Sequence, residues 1–131
     1  MNLSDDVVEF LRQPNPGFIA TVMPDGSPQV TEVWVHTDGE HLVINTVQGF
    51  AKLRNIANDP RVAVAVADRE NIYRYVQIRG RVIDSTTERG AEHIEMLSQK
   101  YTGQPYQWYG GRDQVRVILT IEADSVSGQF G

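Results

Sequence analysis

The sequence predicts a mainly β domain: a small closed barrel of six to seven mostly antiparallel strands, with three helices. Three observations carry this prediction. Short turn signals, "PDGS" and "TDGE", separate apolar runs of strand length, and tight connections of that kind imply antiparallel neighbours. The runs are rich in β-branched residues and similar in length, which suits a closed barrel. Helical spacing and caps occur in three segments, and no linker, repeat or low-complexity tract interrupts the 131 residues. Residues 1–131 therefore read as one domain with enough chain to bury a core.

The elements follow in order. "LSDDVVEFLRQ" reads as a helix with Ser4 as its cap and Asp5 and Asp6 in the first turn, where the helix dipole favours acids. "NPG" at 15–17 ends it. Residues 18–23 and 28–37 form a hairpin around Pro24, Asp25 and Gly26. "HLVINT" at 41–46 is the next strand, and Gly49 turns the chain into a short helix, "AKLRNIAND". "PRVAVAVAD" at 60–68 reads as a central strand. Its Val/Ala alternation predicts one face meeting bulky neighbours and one pressed close to something. "IYRYVQIRGRVIDS" at 72–85 is a long strand in which Gly80 marks a bulge or a close backbone approach. The strongest helix pattern spans 85–103, with Ser85 and Glu88 in capping-box spacing and Gly103 as the stop. A polar, aromatic loop, "QPYQWYGGRD", leads to two last strands at 114–123 and 125–130.

Composition excludes several functions. A net charge of −5 argues against general phosphate-neutralising nucleic-acid binding. No cysteine is present, which removes disulfides, thiolate metal sites and a cysteine nucleophile. No apolar run approaches the roughly 18–20 residues of a membrane span and the N-terminus is no leader, so a cytosolic protein is expected. His36, His41 and His93 lack metal-ligand spacing, and the first two, flanking a turn, read as surface residues. No metal is expected. Neither a GxGxxG after a strand, a P-loop nor a nucleophile elbow occurs. An enzyme built on this chain would draw its reactivity from a bound cofactor.

The middle helix breaks an electrostatic rule that the other two obey. Lys52 and Arg54 lie near its start and its acid, Asp59, near its end, and a cation at a helix N-terminus costs roughly 0.3–1 kcal/mol. An anion held there resolves the conflict: N–H groups after Gly49 donate to it, Thr46 adds a hydroxyl and Lys52 neutralises it. A phosphate is the natural candidate. The alternative is that both cations simply turn into water. Among the aromatics, Trp34 reads as strand core, and Tyr73 and Tyr75 share one strand face. Tyr106, Trp108 and Tyr109 crowd a loop in a manner suited to a planar ligand or a subunit interface.

Taken in order, "FIATVMPDGSPQVTEVWV…DGEHLVINTVQGFAKLRNIANDPRVAVAV…YRYVQIRGRV" resembles the split β-barrel of the pyridoxamine-5'-phosphate oxidase-like superfamily. This is an FMN-binding-protein-like fold. Within it the match is closest to the flavin/deazaflavin oxidoreductase B branch, which uses coenzyme F420. Residues 18–83 carry the resemblance, and "LSQKYTGQPYQW" and "RVILTIEAD" extend it. It implies that Thr46 and Lys52 face the cofactor phosphate, that Gly49, Phe50 and Ala51 form the turn between them, and that Asn55 matches the Asn of the motif's helix. The ring would lie against Val33, Trp34 and Val35. Lys52, Arg54 and Arg61 would serve a polyanionic tail, with a solvent-exposed strand end as the alternative place for Arg61. Members are usually homodimers with cofactor at the interface, and Tyr73, Tyr75, Trp108 and Arg112 or Arg116 would be the partner's contribution.

Relatives often carry an Arg between that Thr and Lys, where this chain has Phe50 and Ala51. The departure points away from FMN oxidases, and the chain also lacks the basic tail of true pyridoxamine phosphate oxidases. The resemblance thus implies an F420-dependent oxidoreductase that passes a hydride from reduced deazaflavin to an unsaturated small molecule. No catalytic acid is assigned. FMN at the same site, in an oxidase or flavin reductase, is the alternative; a non-catalytic binder of cofactor, haem or tetrapyrrole is a third reading.

Overall fold

In the computed structural model, residues 1–129 are described. Seven strands form one antiparallel sheet, and three helices pack on it. In chain order these are α1 (Asp5–Arg12), β1 (Gly17–Val22), β2 (Pro28–Val33), β3 (Val35–Thr37), β4 (Leu42–Val47), α2 (Ala51–Asn58), β5 (Arg61–Ala67), β6 (Tyr75–Thr86), α3 (Gly90–Thr102) and β7 (Arg116–Gln129). The strand order is β2-β1-β5-β6-β7-β4-β3. The two edge strands are consecutive in sequence, separated by Trp34 alone. The sheet must therefore curl until its edges meet, and the seam is closed by the chain itself rather than by a ladder.

The interior is filled by alternate residues. In β5, Val62, Val64 and Val66 point into the core, as Val76 and Ile78 do from β6 and Val117, Leu119 and Ile121 do from β7. α1 seals one mouth of the curl by burying Val7, Val8, Phe10 and Leu11, each worth about 1.5–3 kcal/mol when taken from water. Its start is as expected, with the Val7 N–H donating to Ser4 Oγ at 3.4 Å.

Five expectations need correction. Residues 28–37 are two strands, not one, because the chain turns the seam at Trp34, which leaves the ladder there. Residues 72–74 lie in a turn that carries Tyr73 out of the strand, and β6 begins at Tyr75. The expected capping box does not form: Ser85 and Thr86 stay in β6, paired with Leu119 and Ile118 of β7. The helix starts instead at Gly90, after Arg89 adopts left-handed backbone at φ 61°. The last two strands are one, β7, with Asp124 absorbed as an irregularity opposite the Arg79/Gly80 step. There the bulge and the close approach at Gly80 coincide, since a Cβ would sit 1.9 Å from the Glu122 carbonyl oxygen. Finally, the alanine face of β5 is open within one chain: Ala65 is exposed and Ala63 half-buried.

The histidines also differ from expectation. His41 is half-buried between Asp38 and Glu122, each at 3.1 Å. His36 is half-buried with Nδ1 3.2 Å from the Lys100 ammonium. Among the described residues, no helix is long and apolar enough to cross a membrane.

Candidate cofactor cleft

A cleft of about 290 Å³ opens beside the seam. Glu32, Val33 and Trp34 form its seam wall, Asn45 and Thr46 of β4 its floor, and Phe50 and Lys52 the start of α2. Ile94 of α3, Tyr106 and Tyr109 of the aromatic loop, and Arg116 of β7 complete it. A second hollow of about 500 Å³ adjoins it, shares Phe50 and Lys52, and is otherwise lined by Gln29, Thr31, Gly49 and Ala51.

Several polar groups at this junction are buried without a partner among the described residues. Lys52 is only 9% exposed, yet its Nζ makes no ion pair among the described residues and lies 5.9 Å from the centre of the Phe50 ring. Burial, aided by the positive charge of Arg116, pushes its pKa down. Among the described residues two buried side-chain oxygens lack a hydrogen-bond partner, and both belong to residues that share a lining with Lys52: Thr46 Oγ1 at the cleft and Thr31 Oγ1 at the adjoining hollow. Unpartnered buried polar groups are rare and costly. The turn before α2 places Gly49 at φ +94° and leaves the helix without a side-chain cap; the Leu53 N–H donates to the Phe50 carbonyl at 3.1 Å, so the N–H groups of Ala51 and Lys52 are the ones left to donate outward. A cation, two hydroxyls and a helix start are the donor set of a phosphate site.

The opposite wall is rigid. β4 is buried along its whole length, and of its two polar members Asn45, unlike Thr46, has its side-chain amide satisfied. Asn45 Nδ2 donates to the Gly90 carbonyl at 3.1 Å and to His93 Nδ1 at 3.0 Å, and Arg116 Nε donates to Asn45 Oδ1 at 2.7 Å. The Arg116 guanidinium lies over the Tyr106 ring at 5.5 Å, and its Nη1 is 3.4 Å from that ring's hydroxyl. Burial lowers the Arg116 pKa, and burial foremost drives that of His93 down to about 4. Helix α3 comes this close to β7 because residue 90 is glycine: a Cβ there would stand 2.2 Å from the Arg116 carbonyl oxygen.

The aromatic residues form one stack. Trp34 lies on Tyr101 at 5.3 Å and 8°, and Tyr106 meets Trp34, Trp108 and Tyr109 edge-on at 6.5, 5.2 and 5.8 Å. Beneath them Tyr101 staples the seam, its hydroxyl donating to the Asn15 carbonyl at 2.7 Å and accepting from the Val35 N–H at 3.0 Å. Lys100 caps the Leu11 and Val35 carbonyls alongside, with its pKa lowered by burial to about 8.

Of the residues expected at a cofactor, the structure brings Val33, Trp34, Thr46, Phe50 and Lys52 to the cleft, and Gly49 and Ala51 to the hollow beside it. Others lie elsewhere. Val35 is fully buried in the core. Asn55 Nδ2 reaches Thr21 Oγ1 at 3.0 Å and Gln29 Oε1 at 3.2 Å, tying α2 to the hairpin. Arg54 donates to the Gly49 carbonyl at 2.6 Å, and Arg61 pairs with Asp59 in solvent. Trp108 and Arg112 stack on one another at 5.6 Å outside the cleft lining. Tyr73 and Tyr75 are 79% and 40% exposed, away from it. Arg116, expected from a partner subunit, lines the cleft of its own chain. Asn45, Gly90 and His93 escaped the sequence reading. The one signal was an Asn beside Thr46 in an otherwise apolar strand.

A family model described as pyridoxamine 5'-phosphate oxidase matches residues 3–130. The chain belongs to that family. Its split barrel is the curled sheet described above. Among solved structures, one named F420 reductase is 35% identical, with a TM-score of 0.81 over 92% of this chain and 95% of its own. A conserved hypothetical protein from Mycobacterium tuberculosis is 26% identical, with a TM-score of 0.72 over 95% of this chain and 82% of its own. General Stress Protein 26 from Bacillus anthracis, 16% identical, shares the fold with a TM-score of 0.68 over 93% of this chain and 89% of its own. The family and the F420 reductase likeness support an oxidoreductase.

Proposed function

We propose that this pyridoxamine 5'-phosphate oxidase-family protein is an F420-dependent oxidoreductase that reduces an unsaturated small molecule in the cytoplasm. The observation that carries the reading is Lys52 at the start of α2, buried without an acid partner among the described residues and lining the cleft with Thr46 and the adjoining hollow with Thr31, whose hydroxyls are both orphaned. These residues fit a phosphate. Phe50, Trp34 and Tyr106 supply aromatic walls for a planar ring. The 35% identity to an F420 reductase, and Phe50–Ala51 where FMN-using relatives often carry Arg, favour deazaflavin over FMN. When bound, reduced F420 would supply the hydride. The chain's own residues hold the phosphate, align the ring and keep water from one of its faces.

A homodimer belongs to this proposal. Phe18, Val30 and Tyr75 are exposed and surround an apolar hollow of about 240 Å³ floored by Ala63 and Ala65. A second copy would cover that face and could bring its Tyr73, Tyr75 or Trp108 towards a bound ring.

Fluorescence titration with F420 and FMN in parallel tests the assignment. Tighter binding of F420 is expected, and Lys52→Ala should weaken it by about 2–4 kcal/mol, some 30- to 1,000-fold. Preference for FMN would overturn the cofactor, and an unchanged constant in Lys52→Ala would overturn the site.

A further inference from the structure

Arg116 lines the same cleft as Lys52, near enough for its positive charge to lower the Lys52 pKa, and makes no ion pair among the described residues. Its guanidinium carries five N–H donors in a planar fork. Nε is taken by Asn45 at 2.7 Å, and Nη1 has only a long contact to the Tyr106 hydroxyl at 3.4 Å. The ion pairs found among the described residues all involve other groups. Glu32 reaches the same cleft and pairs with neither cation. A half-buried guanidinium with its outer edge unmatched is an unusual arrangement, because charges taken from water normally find a carboxylate or several acceptors.

The fork is also held still. Asn45 cannot flip its amide without turning its oxygen towards the Gly90 carbonyl and His93 Nδ1, both of which now accept from Nδ2. Its Oδ1 is thereby fixed on Arg116. The Tyr106 ring supports the flat face, and Gly90 lets α3 press on the backbone of residue 116 itself. Rotamer freedom that a surface arginine would lose on binding has already been given up here.

We propose that Arg116 is the ring-binding residue of the cleft: it holds the polarised oxygen edge of a planar heterocycle whose phosphate lies on Lys52, and Asn45 is the residue that positions it. This rests on the proposed function. A pyrimidinedione edge offers carbonyl oxygens to a planar fork, and negative charge gathers there when such a ring is reduced. A fixed cation at that edge favours the reduced form.

The test separates ring from phosphate. The intact protein is titrated by fluorescence with F420 and with the same deazaflavin ribityl alcohol lacking its phosphate tail; FMN and riboflavin form the equivalent pair. Arg116→Met should weaken the intact cofactor and the phosphate-free ring by similar factors, about 10- to 100-fold. Arg116→Lys, which keeps charge and volume but loses the fork, should fall between wild type and Arg116→Met. Lys52→Ala should weaken only the phosphate-bearing ligand. Asn45→Ala should weaken ring binding in wild type and have no further effect in the Arg116→Met background, a coupling that a merely structural role would not produce. Loss confined to the phosphate-bearing ligand would make Arg116 a second phosphate residue and overturn the inference, as would unchanged binding of both. Either result leaves the proposed function standing. Failure of the wild type to bind any of the four ligands would overturn both.

Discussion

Replacing Gly90 with alanine should destabilise the protein, although the same change in an ordinary helix stabilises. Gly90 is the first residue of α3. On propensity alone, alanine would gain up to about 1 kcal/mol. Against that, the new Cβ would lie 2.2 Å from the Arg116 carbonyl oxygen, 2.7 Å from its carbon and 3.1 Å from its Cβ. The first two are backbone atoms of a strand hydrogen-bonded to both β4 and β6, so neither can swing aside. Ordinary contact begins near 3.4 Å, which requires α3 and β7 to part by about 1 Å in a close-packed region. Overpacking of this kind costs about 1–3 kcal/mol, and the net loss should be about 1–2 kcal/mol. Urea unfolding followed by circular dichroism measures it: with a slope of about 1–3 kcal/mol per molar, the midpoint should fall by roughly 0.5–1 M at unchanged slope. A Gly90→Ala midpoint equal to or above wild type would refute the packing argument and, with it, the claim that this glycine sets the position of Arg116.

Two more predictions concern stability. Tyr101→Phe removes the hydroxyl that bridges the Asn15 carbonyl and the Val35 N–H, leaving a buried donor at the seam unpaired; a loss of about 1–3 kcal/mol in the same urea assay is expected. His93 is held neutral, its pKa driven from the usual 6.5 to about 4, chiefly by burial. The unfolded chain therefore takes up this proton first, and stability should fall as pH drops from about 6.5 towards 4. Because the ring is partly solvated, the loss should be discounted to about 1–2 kcal/mol. His93→Gln, whose carbonyl can still accept from Asn45, should flatten that slope between pH 6.5 and 5, where most carboxylates are still ionised. An identical slope in the variant would place the effect elsewhere.

The parts of the fold legible in the sequence were those set by local chemistry. Asp25 and Gly26 make a turn wherever they sit, and Gly26 indeed takes φ +88°. Ser4 caps α1 by accepting from the Val7 N–H three residues on, a contact that local sequence alone sets up. The parts that misread were those decided by pairing. Ser85 and Glu88 spell a capping box, but Ser85 and Thr86 lie opposite Leu119 and Ile118, and ladder bonds to a long partner strand outweigh a single cap. Asp124 looks like a turn between two strands; opposite the Gly80 step it becomes the extra residue of one continuous strand. Arg116 was assigned to the wrong subunit for the same reason, since its place in its own chain's cleft beside Asn45 exists only once β7 pairs with β4.

The reversed charges of α2 show where the boundary lies. From sequence, Lys52 and Arg54 are equivalent offences against the helix dipole, and either could answer an anion. Helical geometry separates them. At about 100° per residue, Lys52 shares a face with Asn55 and Ile56, whereas Arg54 points about 200° away. Asn55 and Ile56 bury that face against the hairpin and core, which carries Lys52 inward to 9% exposure. Arg54 is left outside, where it offsets its own cost by donating to the Gly49 carbonyl. One anomaly thus has two outcomes, a turn-stabilising contact for Arg54 and a buried cation without an ion-pair partner among the described residues at Lys52. What separates them is the packing of an Asn and an Ile three and four residues beyond Lys52 along the helix.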